Sequence, residues 1–415
     1  GIDTIVCDHH DIPETLPDAI LIHPKLPDEK YPNKDLAGTA VGFKFAHALI
    51  EEARSRGIDL PEGHEKWLLD LVAIATVTDI MKLTGENRVL EKYGLLVLNK
   101  TRRPGLKALI EIAGISGKEL ETWNIGWQIG PRLNAAGRVN HADDAYELLI
   151  EEDETRAAVL AEKLNQENQE RQKASEALHW EAVAAIGKVE DQPILFAIGK
   201  GWAPGIVGLA AGKICAHNYR PTFVISQDGD KFVGSGRSIE EFNITKAMQA
   251  ASDYLDRFGG HPQACGFSVT GEEKMMKAIE VMSAYAAKEL AGVELLPALK
   301  IDDELSMDHL NWDLVDDLEK FRPYGTYNEK PVFLTRQLQI VGTEKVGSEG
   351  QHLRLTANPE KGGKMVKLIG FRFGDWAEKL GLGDLVDVVY EIGINEWNGN
   401  REIQLRIIDL QISNG

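Results

Sequence analysis

Cys7-Asp8-His9-His10-Asp11 follows directly on Ile2-Asp3-Thr4-Ile5-Val6. A short β-branched run that ends in a carboxylate and two imidazoles reads as a buried strand presenting ligands at its C-terminal end. Sites of open α/β sheets lie at that end. Carboxylate plus imidazole suits a divalent transition metal. Standing alone, Asp-His-His is more often an acid that caps a turn beside two surface histidines, so the reading depends on what accompanies it.

Four further segments do. Leu71 to Asp79 is an apolar run that ends in a carboxylate, which alone would be a helix cap. Gly130-Pro131-Arg132-Leu133-Asn134-Ala135-Ala136-Gly137-Arg138 reads as a Gly/Arg loop. Small residues let backbone approach a phosphate, and guanidinium forks bind it bidentately. Arg132, Asn134 and Arg138 are therefore anion-binding candidates; the competing role is pairing with Asp143 or Asp144. Gly234-Ser235-Gly236-Arg237-Ser238 and Gly259-Gly260-His261-Pro262-Gln263 read as polar turns. In them Ser235, Arg237, Ser238, Gly260 and His261 could cradle an anion. A hairpin turn and a helix cap are the plainer alternatives. Trp202 is a stacking or a core residue, and Trp397 with Arg401 frames an Asn398-Gly399 hairpin signal.

Those residues need elements to hold them. With 415 residues the chain has room for two or three domains, and 43% hydrophobic against 27% charged residues is ordinary for a globular protein. The net charge of −19 excludes a generally basic nucleic-acid coat protein but leaves room for a local basic channel. Three scattered cysteines, without a Cys-x-x-Cys pair, exclude a thiolate zinc site and indicate a reducing compartment. No apolar run approaches the roughly 18 residues that span a bilayer, so no membrane association and a cytoplasmic location are expected. The first residue is Gly1, almost inside a strand, and an N-terminally incomplete chain is expected.

Residues 1–165 alternate short apolar runs with helical patterns, which predicts a parallel α/β sheet. Leu36–Glu52 is a predicted helix, whereas Trp67–Thr78 fits helix or strand. Residues 152–187 predict one long helix with acids in its first turn. Its polar middle, Gln166–Lys173, predicts a solvated connector. Residues 190–292 predict a second α/β unit, with a helix from Ile244 ended by Gly259-Gly260. Residues 298–415 alternate like strands of a small barrel. Ile403, Leu405 and Ile407 share a face, then Ile408, Leu410 and Ile412, which predicts a bulge.

In this order the motifs resemble the DHH/DHHA1 phosphoesterase superfamily, most closely its bacterial exonucleases specific for single strands. The resemblance covers essentially the whole chain. It implies a parallel-sheet DHH domain (1–151), a connecting helix (152–187), an α/β DHHA1 domain (188–297) and an OB-like β-barrel (298–415). It implies a helix leading to Asp79, metal ligation by His9 and Asp79, and Asp8 and His10 as orienting partners or ligands. Manganese or magnesium is the implied cofactor, in a two-metal site. Single-stranded DNA is the implied substrate, digested 5′→3′ in repair and recombination, with repair proteins as implied partners of the C-terminal domain. Three departures matter. His23-Pro24 stands where the family more often has Asn-Pro, and His23 reads as a loop histidine rather than a site residue. The family's Asp-x-Asp and a further Asp upstream of Asp-His-His have no counterpart in residues 1–7, which predicts weak or absent hydrolysis. The junction that carries Gly-Asn-Pro in the family reads Tyr327-Asn328-Glu329. Rival readings are a phosphodiesterase for oligonucleotides or cyclic dinucleotides, and a non-catalytic single-strand-binding scaffold.

Overall fold

A computed structural model describes residues 2–13, 15–139, 142–190, 192–359, 365–397 and 399–413. The side chains of Ala136, Arg138, Val139 and Trp397, and residue Asn398, lie outside the described residues. Two compact units share the chain. Gly1–Thr101, Glu119–Gly126 and Leu299–Gly415 form the first, and Arg102–Lys118 with Trp127–Ala298 the second.

In the first unit, β1 (Ile5–Cys7) and β2 (Ile20–Ile22) pair in parallel, Val6 opposite Leu21. Helices α1 (Gly38–Ser55), α2 (Leu69–Thr78) and α3 (Gly85–Leu98) follow. The sequence of Trp67–Thr78 fits either pattern because α2 is buried on most sides, at Leu69, Val72, Ala73, Ile74 and even Asp70 and Thr76. Such a helix shows no amphipathic stripe. Gly94 sets the α2–α3 spacing: a Cβ there would lie 2.6 Å from the Leu69 carbonyl oxygen.

The second unit opens with α4 (Pro104–Ile112), α5 (Gly130–Val139), α6 (Asp143–Ile150) and the long α7 (Glu154–Ile186). Gly130–Arg138 is thus a helix, not the expected loop. A π-helical stretch, Ile125–Ile129, runs directly into it, and Pro131, which has no N–H to donate, stands just after that stretch. Asp153 caps α7 by accepting the Arg156 amide at 2.7 Å. The polar middle of α7 is exposed over most of its length, as expected, but Glu167 and Asn168 within it are buried, as is Asn165 just before it. Asn165 accepts a hydrogen bond from the Arg132 guanidinium of α5, which is why a polar residue faces inward.

Strands β3 (Leu195–Lys200), β4 (Thr222–Asp228), β5 (Lys231–Arg237), β6 (Arg257–His261) and β7 (Ala264–Thr270) form a sheet in the order β3-β4-β5-β7-β6. β3 and β4 are parallel, and the other pairs antiparallel. Helices α8 (Pro204–Asn218), α9 (Ile244–Ala250) and α10 (Glu272–Glu289) belong to the same unit. Two expectations are corrected here. Gly234–Arg237 is strand rather than turn. The helix from Ile244 stops at Ala250, and Gly259-Gly260 lies in β6. A fully exposed strand shows no alternation, so a glycine pair there reads as a helix stop.

The chain then returns to the first unit through β8 (Asp303–Glu304) and α11 (Trp312–Glu319). Strands β9 (Val332–Val346), β10 (His352–Pro359), β11 (Val366–Gly370), β12 (Leu385–Trp397) and β13 (Asn400–Ile412) close into a ring, β9-β10-β11-β13-β12 and back to β9. Only β11 and β13 run parallel in it. Leu338, Leu353, Leu355, Val388, Tyr390 and Leu405 fill its core. The predicted bulge is present: Val389 pairs with Asp409 but Tyr390 with Ile407, leaving Ile408 unpaired.

Candidate metal centre and anion face

β1 ends at Cys7 and delivers Asp8, His9 and His10 beyond the pairing. One Asp8 carboxylate oxygen accepts from the His10 ring at 2.7 Å, from the His9 amide at 2.7 Å and from the His10 amide at 3.3 Å. The His10 hydrogen bond, with the two amides, holds the Asp8 carboxyl far below the ordinary range. The same bond raises His10. One donor atom from each of Asp8, His9 and His10 lies within 4.8 Å of the others.

Asp79 reaches this cluster from the end of α2, its carboxylate oxygen 3.1 Å from His9 Nε2. Local folding explains the aim. Asp79 is the C-cap, the Ile80 amide donates to the Val77 carbonyl at 3.1 Å, and the Met81 amide to Thr76 at 3.0 Å. That two-bond closure favours a left-handed residue just after the cap, normally glycine. Here it is Ile80, with φ 55° and 71% exposed. A non-glycine residue in that region costs about 1–2 kcal/mol, and a β-branched one is an outlier. On the other side of His9, Gly38 opens α1 so closely that a Cβ would lie 3.2 Å from the imidazole. His23, by contrast, is a turn residue: it is buried and accepts the Lys25 amide at 3.1 Å.

The second set of candidates lies in the other unit and is ordered by strand register. Arg237 pairs with Ala264, which pairs with His261; Ser235 pairs with Gly266, which pairs with Gly259. Directly paired residues point to one side. Ser235, Arg237 and His261 therefore share a face, with small residues between them. Arg237 donates to Ser235 Oγ at 3.2 Å and to the Gly236 carbonyl at 2.8 Å. Gly208 of α8 closes on them, since a Cβ there would lie 2.8 Å from Ser235 Oγ. Sequence reading missed Gly208; a glycine inside an apolar helix was its signal. Gly260 has φ 138°, and its Cβ would lie 2.5 Å from the Ala264 carbonyl oxygen. Ser238 faces elsewhere and donates to the Phe242 carbonyl at 2.6 Å.

Arg132 is on α5, not on this sheet. Its guanidinium donates to Asn165 at 3.1 Å and to the Gln128 carbonyl at 2.7 Å, and burial lowers its pKa. Asn134 is exposed on the same helix. The Arg138 side chain lies outside the described residues. Trp202 is a core residue, 8% exposed, with its indole N–H on Glu181 at 2.7 Å.

Residues 191–288 match the DHHA1 domain family, and residues 301–409 match the RecJ OB domain family. The chain is 33% identical to the single-stranded-DNA-specific exonuclease RecJ of Salmonella typhimurium, over 99% of this chain and 73% of that protein.

The chain belongs to the RecJ family.

It is also 35% identical to RecJ of Bacillus subtilis over its whole length, and spans 51% of that protein. A crystal structure of RecJ from Thermus thermophilus in complex with Mn2+ superposes with a TM-score of 0.82 at 28% identity, covering all of this chain and 59% of that one. A manganese-bound exonuclease RecJ aligns at TM-score 0.58 and 30% identity, over 71% of this chain and 72% of that one. The chain thus spans between about half and three quarters of these RecJ relatives. Among the described residues no helix is long and apolar enough to cross a membrane.

Proposed function

We propose that this chain carries the core of a metal-dependent exonuclease that hydrolyses single-stranded DNA 5′→3′. The observation that carries the reading is the convergence of Asp8, His9, His10 and Asp79, from β1 and α2, at hydrogen-bonding distances. The carboxylates suit manganese or magnesium and the imidazoles a transition ion, so the mixed set favours manganese, and the Thermus relatives are in complex with Mn2+ and with Mg2+. His9 and Asp79 would hold the ion, and Asp8 would fix His10 through the 2.7 Å bond. Bound there, a divalent ion supplies Lewis acidity toward a phosphodiester oxygen and an acidified water.

In this reading residues 1–151 carry the metal centre, 152–187 connect, 188–297 hold phosphates through Ser235, Arg237 and His261, and 298–415 grip the strand and meet repair proteins. Binding outlasts cleavage. Among the described residues Asp8 and Asp79 are the carboxylates at the cluster, and a two-metal reaction needs more bridging oxygens than they supply.

The test pairs calorimetric Mn2+ titration with binding and degradation of a single-stranded oligonucleotide. Salt-dependent binding with strand preference, a Mn2+ site lost in His9→Ala, and slow hydrolysis are expected. A chain that binds strands but no Mn2+ would be a scaffold. Preference for dinucleotides over polymers would favour the small-substrate phosphodiesterase.

A further inference from the structure

Ile80 is one of five non-glycine residues with left-handed backbone among the described residues; the others are Tyr219, Tyr327, Gln337 and Arg372. Two of the five, Ile80 and Tyr327, carry bulky apolar side chains that are 71% and 65% exposed. Both belong to the first unit, and the structure ties their segments together. The Leu83 amide donates to the Thr326 carbonyl at 2.8 Å. Gly325 sits so close that a Cβ would lie 2.6 Å from Leu83 Cδ1. Lys82 Nζ stands 5.1 Å from the Tyr327 ring centroid and 3.1 Å from the Asp35 carboxylate. The turn that carries Tyr327 is rigid: Gly325 and Asn328 exchange backbone bonds of 3.0 and 2.9 Å, and the Asn328 amide side chain donates to the Phe321 and Pro323 carbonyls.

Within the chain Tyr327 gains the exposed Lys82 contact, about 0.5–1 kcal/mol, which does not exceed the roughly 1–2 kcal/mol cost of a left-handed non-glycine residue. Left-handed backbone disfavours both, and burial offsets little of it. Each would be replaced without loss by glycine if local folding alone mattered. Their common feature is position: Ile80 directly follows Asp79, and Tyr327 is pinned to Lys82 and Leu83, three and four residues on.

We propose that Tyr327 and Ile80 form a nucleoside-binding ledge next to the metal centre. Tyr327 stacks a nucleobase on the ring face opposite Lys82, and Ile80 packs against the sugar. Aromatic stacking tolerates any base, which suits a strand read without sequence preference. The Lys82 ammonium anchors the ring through Asp35 on one side and the aromatic face on the other. The ledge rests on the strand-binding function proposed above and deepens it by naming the part of the nucleotide that is recognised.

The experiment measures melting temperature and binding in EDTA of a 5′-phosphorylated oligothymidylate and of its abasic counterpart. Tyr327→Gly is expected to melt about 2–4 °C higher, as strain is released. It should bind the oligothymidylate about fivefold or more weakly and the abasic strand as wild type does. Ile80→Gly moves the same way with a smaller binding loss, and Tyr327→Phe behaves as wild type. Unchanged binding in Tyr327→Gly, or an equal loss on the abasic strand, overturns the ledge while the strand-binding function stands. If wild type binds neither strand, that function fails and takes the ledge with it.

Discussion

The proposed metal centre and the Ser235–Arg237–His261 face are held by opposite means. The first hangs on the ends of elements: Asp8 and the histidines just past β1, Asp79 on the cap of α2, Ile80 in a left-handed conformation behind it. Its support is also polar: among the described residues, Glu91 is buried in α3 with both carboxylate oxygens unpartnered, and the Thr76 hydroxyl of α2 is buried without a hydrogen bond. The second face is a rigid lattice of paired strands, with glycine and alanine spacers. Element ends can re-aim a ligand by a small change of backbone. A strand face cannot, and is specified by which residues lack a Cβ.

The largest expected effect breaks the lattice. Gly260→Ala combines a left-handed φ of 138° with a contact of 2.5 Å to backbone. Denaturant melting should show a loss of about 3 kcal/mol or more. Its neighbour sharpens the point: among the described residues nothing lies within 4 Å of where a Gly259 Cβ would be, so Gly259→Ala should fall within about 0.5 kcal/mol of wild type. Equal losses would mean that register is not what the face depends on.

Next comes the strained side. Burial pushes the Glu91 carboxyl up to about 9 from 4.5. The folded state therefore keeps a proton that the unfolded chain releases, and stability falls as pH rises between those values. Glu91→Gln should remove that slope and raise stability at pH 8 by about 2 kcal/mol. Parallel pH profiles for the two proteins would show that Glu91 is already satisfied.

A smaller effect concerns function alone. Arg237→Ala should weaken single-strand binding about tenfold at low salt and flatten the salt dependence by about one charge, while Mn2+ affinity stays as in wild type. An unchanged slope would remove Arg237 from the phosphate contacts.

Local pattern carried much of this arrangement. The phase change after Ile407 announced the bulge because a barrel strand has one buried face, and a one-residue slip exposes every side chain. Asp8, His9 and Asp79 stood out because each follows an apolar run. What failed was non-local. Asn165 is buried because α5 packs on α7 and Arg132 bonds it, and nothing within a polar stretch of helix reports its neighbour. Gly130–Arg138 has a loop's composition and becomes a helix between the π-helical stretch and α7. Gly259-Gly260 looked like a stop because β6 is exposed along its whole length.

The three-piece make-up of the first unit also sets a timetable for synthesis. Its opening segment ends at Thr101 and its last begins at Leu299. A ribosome adding about 5–20 residues per second takes on the order of 10–40 s to cross the interval. Through that time the Arg88 guanidinium lacks the carbonyls of Lys320, Phe321 and Arg322 that it later bonds at 2.8–3.3 Å. The second unit, finished at Ala298, can fold first. The nascent opening segment, with its apolar helices α1 to α3, waits meanwhile for the rest of its unit.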